Sequence, residues 1–171
     1  MGMIRRSQGA LTEAQIELER SIALDRNYGH AAYQLGLVLI FRGQPEAAIP
    51  YVEKAIRLSP HDPNLGAFLT ALGACHLLLG HLDQATDLLR RARAANPQYW
   101  HVHFWLAGAL GFKGSVDEAR VALAEAISLK PEVCSLAQYD AYSRWQTNPE
   151  YLAFRAKTLD VGLRSIGFPD E

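Results

Sequence analysis

Apolar and small residues recur along this chain at helical spacing, in segments divided by glycine, proline and short polar turns. That periodicity predicts an almost wholly helical protein. Helices are expected over about 11–25, 29–41, 45–58, 63–79, 82–95, 99–112 and 116–129, with two more over 134–145 and 148–166. Several start signals support these segments. Pro45 suits a first helical turn, Ser115 and Glu118 fit a capping box, and Asn148-Pro149-Glu150 joins an N-cap, a proline and an early acid. Gly167 and Pro169 stop the last helix. That helix carries an apolar stripe of Leu152, Ala156, Leu159, Leu163 and Ile166, while Arg155, Lys157, Asp160 and Arg164 lie mostly off it. The stripe predicts a helix that caps the preceding elements, or one that reaches a groove or a second subunit.

The small residues also repeat at long range. Gly9, Gly43, Gly80 and Gly114 are each followed five residues later by Ala14, Ala48, Ala85 and Ala119. Seven residues on come Ser21, Ala55, Ala92 and Ala126, and three copies then carry Pro60, Pro97 and Pro131. The glycines stand 34, 37 and 34 residues apart. Ahead of them run Leu35-Gly36, Leu72-Gly73 and Leu106-Ala107, in which leucine fills a seam and its small neighbour admits the partner helix. This grammar resembles the tetratricopeptide repeat, a helix–turn–helix unit that stacks into a solenoid. The resemblance implies an all-α, right-handed superhelix of antiparallel helix pairs, closed by a C-terminal helix pair. The expected layout is a stack over 1–133, with a partial repeat at 1–28, full repeats at 29–62, 66–99 and 100–133, and a cap at 134–171. The longer 37-residue spacing is expected to lengthen one helix by about a turn, starting at Asp62-Pro63. The chain opens inside what should be a first helix, which suggests a piece of a longer protein. The apolar face of Ile16, Leu18 and Ile22 then lacks a full partner and predicts self-association at that end.

Composition narrows the chemistry. A net charge of −1 offers no basic face for nucleic acid. The longest apolar run, Leu35 to Phe41, is too short to span a bilayer, and Met1 to Ser7 lacks the apolar stretch of a signal peptide. Cys75 and Cys134 read as small core residues in a reducing compartment, so a soluble cytoplasmic protein is expected. No enzyme constellation stands out, and neither a metal nor a cofactor is expected. His101 and His103 are two residues apart and face different ways on a helix, unlike a metal pair at spacing three or four. His76 beside Cys75 has no acidic orienting residue near it. Gly108, Gly111 and Gly114 sit within or at the end of a helix and do not form a phosphate cradle.

Binding is the chemistry that remains. The tetratricopeptide resemblance implies that the first helix of each unit lines a concave groove. Here that face carries His30, Tyr33, Gln34, Leu37, Ile40 and Phe41, then Ala67, Thr70, Ala71, Ala74, Leu77 and Leu78, then His101, Phe104, Trp105, Gly108, Gly111 and Phe112. Domains of this family that hold a C-terminal carboxylate use Lys, Arg and Asn at these places, and none is present. The expected partner is therefore a protein or peptide, as a helix or an extended segment, held by apolar contacts. The stretch from Ala23 to Pro63 and the ending Leu159-Asp160-Val161-Gly162-Leu163-Arg164 through Glu171 resemble the C-terminal repeat region of bacterial class III nucleotide cyclases. Related stacks also follow winged-helix regulators. That resemblance implies a regulatory module whose catalytic residues lie in another domain.

Overall fold

The turn glycines set the architecture. Gly43, Gly80, Gly114 and Gly167 adopt φ of +72°, +77°, +87° and +91°, the left-handed region that glycine enters at little steric cost. At each, the following N–H reaches back five residues, as in Gln44 N to Leu39 O and His81 N to His76 O. The glycine N–H closes a shorter bond inside it, so each helix end is a Schellman motif that reverses the chain. The structure, a computed structural model, is described for residues 11–171. The Gly9 turn and the Met1 to Ser7 segment lie outside the described residues.

Helix α1 spans Leu11–Leu24, α2 Gly29–Phe41, α3 Pro45–Leu58, α4 Leu65–Leu78 and α5 Leu82–Ala95. They are followed by α6 at Trp100–Lys113, α7 at Val116–Leu129, α8 at Leu136–Tyr142, α9 at Pro149–Lys157 and α10 at Leu159–Ser165. α2/α3, α4/α5 and α6/α7 are antiparallel pairs stacked in sequence, with α1 packed on α2. The first helix of each pair lies on the inside of the stack. The small residues do what their spacing requires. Ala14, Ala48, Ala85 and Ala119 are fully buried, as are Ala55 and Ala92. A Cβ on Gly36 would fall 2.4 Å from Val52 Cγ2, and one on Gly73 2.7 Å from Leu89 Cγ. Leu35 and Leu106, beside these close approaches, are buried in the seams.

Several expectations need correction. α4 has 14 residues, the same as α6, so the longer spacing does not lengthen a helix. The extra residues instead form a tight turn, in which Asp62 accepts from Asn64 N through its side chain and from Leu65 N through its carbonyl. The expected capping box does not form: Ser115 makes no side-chain cap bond, and the Glu118 carboxylate instead receives two bonds from Arg90 of α5, at 3.0 and 2.6 Å. Cys134 is exposed and not a core residue. α8 is shorter than predicted, starting where Ser135 accepts from Gln138 N.

The expected helix over 148–166 is two helices. Asn148 caps α9 as predicted, its side chain accepting from Glu150 N and Tyr151 N. At Thr158, with φ −128° and ψ −82°, the chain breaks before α10. The Thr158 hydroxyl donates to Phe154 O, the same bond that Thr70 makes to Gly66 O inside the unbroken α4, so it accompanies the break without causing it. The apolar stripe breaks with it. Ala156 is exposed, Leu152 half-buried, and Arg155 and Asp160 are buried instead. Across the break Arg155 Nε lies 3.1 Å from Asp160, and its Nη2 lies 2.6 Å from Asp140 on α8.

Candidate functional site

The inner helices do not open onto a bare groove. The C-terminal segment crosses them and leaves a cleft of about 470 Å³ on the concave face. α10 lies along α6, where Gly108, Gly111 and Gly162 bring the two backbones together. Phe104 is buried there, stacked on Tyr139 of α8 at 4.6 Å and edge-on to Phe168. At the far side, Phe41 of α2 meets Trp145 and Tyr151 edge-on at 4.7 and 5.4 Å. The segment therefore bridges from the third repeat back to the first.

Eleven of the sequence-predicted groove residues line the cleft: Tyr33, Gln34, Leu37, Ile40, Phe41, Ala67, Thr70, Ala71, Ala74, His101 and Trp105. The others lie elsewhere. Leu77 and Leu78 are in the core, Gly108 and Gly111 lie under α10, and Phe112 is half-buried at the same contact. His30 sits beside the cleft, its Nε2 3.3 Å from Gln34 Nε2. The opposite wall is Tyr99, Tyr139, Tyr142, Ser143, Trp145 and Gln146, which the repeat pattern did not identify. The aromatic spacing of Tyr139, Tyr142 and Trp145 was the available signal.

No Asp, Glu, Lys or Arg is among the lining residues. Two cations stand outside the wall, Lys130 5.4 Å over the Tyr142 ring and Arg155 5.4 Å over the Tyr139 ring. Burial, with a smaller contribution from Lys130, pushes His101 down to about 4, so its ring is neutral at physiological pH. Three polar atoms of the lining have no hydrogen-bond partner: Gln34 Oε1, His101 Nδ1 and Gln146 Oε1. By contrast Thr70 donates to Gly66 O and Ser143 to Tyr139 O, so both hydroxyls are satisfied locally.

His101 gives a pH dependence with a definite sign. The unfolded chain takes a proton near 6.5, whereas the folded ring resists until about 4, so the unfolded state binds more protons between these values. Stability therefore falls as pH drops through that window, by up to about 3 kcal/mol from this group. Thermal melts at pH 7 and pH 4.5 should show the loss, and His101→Gln should flatten it.

Elsewhere the chemistry is quiet. Burial pushes the Cys75 thiol up to about 12, leaving it protonated and unreactive. Among the described residues, no group of three or more His, Cys, Asp or Glu is placed to hold a metal ion. No helix among them is long and apolar enough to cross a membrane.

Two family models, both of the tetratricopeptide repeat, match residues 30–98 and 76–141, together well over half of the chain. A segment of 68 residues, 40% of the chain, is 34% identical to tetratricopeptide repeat protein 21A of Homo sapiens. The match spans only 5% of that protein's length. Among solved structures, TTC0263, a thermophilic TPR protein of Thermus thermophilus, is similar with a TM-score of 0.69 and 20% identity, covering 96% of this chain and 93% of that one. MamA is similar with a TM-score of 0.67 and 23% identity, covering 96% and 94%. YrrB, described as a TPR protein with an unusual peptide-binding site, gives 0.63 and 22%, covering 94% and 82%. At these identities the likeness is one of fold.

Proposed function

We propose that this tetratricopeptide-repeat protein is a non-catalytic interaction module that seats a protein or peptide segment in the cleft between α2, α4, α6 and its own C-terminal segment. The observation that carries this reading is the cleft itself: concave, aromatic on both walls and free of charged side chains. Apolar concave sites with a few placed polar groups are where ligands collect most binding energy. Peptide binding by YrrB, a protein of the same fold, agrees with it. The proposed layout remains three full repeats at 29–62, 66–99 and 100–133, a partial one at 1–28, and the cap at 134–171.

Peptides selected by display against the protein provide the test. Trp105→Ala should weaken them by about 2 kcal/mol, roughly thirtyfold, because an aromatic anchor is lost from a desolvated pocket. Affinity should change little between about 50 and 500 mM salt, since no charge lines the site. Arg57→Ala and Arg91→Ala, on another face, should have no effect. If selected peptides bind Trp105→Ala normally, the cleft is not the site.

The free thiols of Cys75 and Cys134 are consistent with a reducing compartment, and we place the protein in the cytoplasm on that ground. Of the α1 face expected to lack a partner, Leu18 is buried and Ile22 half-buried, and only Ile16 is exposed; with the exposed Leu24 it is the ground for proposing self-association at that end, which light scattering would show. The finer reading, a regulatory region attached to a nucleotide cyclase or a winged-helix regulator, rests on the sequence resemblance alone. None of the relatives described above is a cyclase, and the coding sequence upstream of Met1 tests it.

A further inference from the structure

The turn that joins α4 to α5 carries two side chains that the repeat does not call for. At the three turns inside the stack one backbone bond spans five residues, from Gln44 N to Leu39 O, His81 N to His76 O and Ser115 N to Leu110 O. The first and third turns place leucine opposite a polar residue at the ends of that bond, whereas the second places histidine at both. Gly80, at φ +77°, and the 2.8 Å bond from His81 N to His76 O hold the two backbones at a fixed offset. The Nδ1 atoms face each other at 3.4 Å, with ring centroids 5.6 Å apart. His81 is exposed and His76 half-buried, and neither lines the cleft.

That separation is longer than an ordinary N–H hydrogen bond, about 2.7–3.2 Å between heavy atoms. It matches two nitrogens on one tetrahedral ion. Each about 2.0–2.1 Å from the metal, such nitrogens stand roughly 3.3–3.4 Å apart. Burial, with repulsion from His81, holds His76 below the usual imidazole range, so its ring offers a lone pair at neutral pH. The Glu53 carboxylate of α3 acts in the opposite sense and favours positive charge at this ring.

We infer that His76 and His81 form a two-nitrogen site for a divalent transition-metal ion of the zinc class, which clips the end of α4 to the start of α5. Imidazole nitrogen suits zinc, copper and nickel, whereas magnesium and calcium take oxygen. Among the described residues no third His, Cys, Asp or Glu completes the set, so water fills the remaining positions and the ion exchanges readily. An ion that binds both ends of the folded turn stabilises it in proportion to its concentration. The site is independent of the cleft and of what the cleft binds.

Calorimetric titration of Zn2+ and Mg2+ into chelator-treated protein tests the inference. Wild type should bind Zn2+ saturably and Mg2+ not at all, and its melting temperature should rise with added Zn2+. His81→Gln, at an exposed position, should melt like wild type without metal. It should weaken Zn2+ binding by at least the roughly tenfold that loss of a mere outer-shell partner causes. His76→Gln should weaken it equally. His61→Gln, which removes another exposed histidine, should bind Zn2+ like wild type. Undiminished Zn2+ binding by His81→Gln overturns the inference, as does an equal loss in His61→Gln. So does the absence of saturable binding to wild type up to about 1 mM Zn2+.

Discussion

Gly162→Ala should destabilise the protein by about 3 kcal/mol or more, because an added Cβ has nowhere to go. It would stand 1.9 Å from Gly108 O, a backbone atom fixed in the middle of α6. Gly111→Ala meets the same obstacle from the other side, 2.1 Å from Gly162 O. Neither clash is relieved by a side-chain rotation, so α10 must move away from α6. For a chain of this size the loss lowers the melting temperature by about 10 °C. Gly114→Ala is the control, with nothing within 4 Å of its added Cβ. It pays only for its left-handed backbone, about 1 kcal/mol. Melting curves, with proteolysis of the C-terminal segment as a second readout, check the difference. Equal melting of Gly162→Ala and wild type would mean that α10 does not rest on α6.

Arg155→Met should be as severe. The guanidinium is held between Asp160, itself buried, and Asp140. Removing it leaves the Asp160 carboxylate buried without a counter-charge, which typically costs about 3–5 kcal/mol. Asp160 is already raised above the usual carboxylate range by burial, with Arg155 opposing the shift. Without Arg155 the folded-state value rises further, so the folded form binds a proton that the unfolded form does not. The variant should therefore regain stability on acidification, until the unfolded chain is protonated too. Arg155→Met/Asp160→Leu should recover much of the loss at neutral pH, because the unpaired charge is gone. Denaturant titrations of both variants at pH 7 and pH 5 separate these outcomes. A double variant no better than the single one would assign the effect to packing alone.

These two contacts also mark where sequence reasoning stopped. Segments 29–41, 45–58, 82–95 and 116–129 are helices with the predicted ends, because Pro45 and the turn glycines fix those ends locally. The seam residues Leu35, Gly36, Leu72 and Gly73 were equally legible, since their size is set by the neighbouring helix of the same repeat. The break at Thr158 was not. Leu152 through Ile166 keep helical spacing on both sides of it, and periodicity does not register a change of axis. The insertion before α4 was misplaced for a similar reason: Asp62-Pro63 starts a turn and a helix alike, and only the hydrogen bonds of Asn64 and Leu65 separate the two. For the site, the repeat identified the inward face but not what covers it. Phe104, Gly108 and Gly111 face inward as expected and are then taken by Tyr139, Leu159 and Gly162 of the same chain.

The central claim is that recognition occurs in the cleft left between the inner helices and the C-terminal segment. Mapping backbone amide shifts on titration with a display-selected neutral peptide tests it most directly. Saturable shifts should concentrate at Gln34, Thr70, His101, Trp105, Tyr142 and Gln146, on both walls of the cleft. Shifts confined to the groove at Glu53, Arg57, Leu72, Leu88 and Arg91, with the cleft residues unmoved, would contradict it.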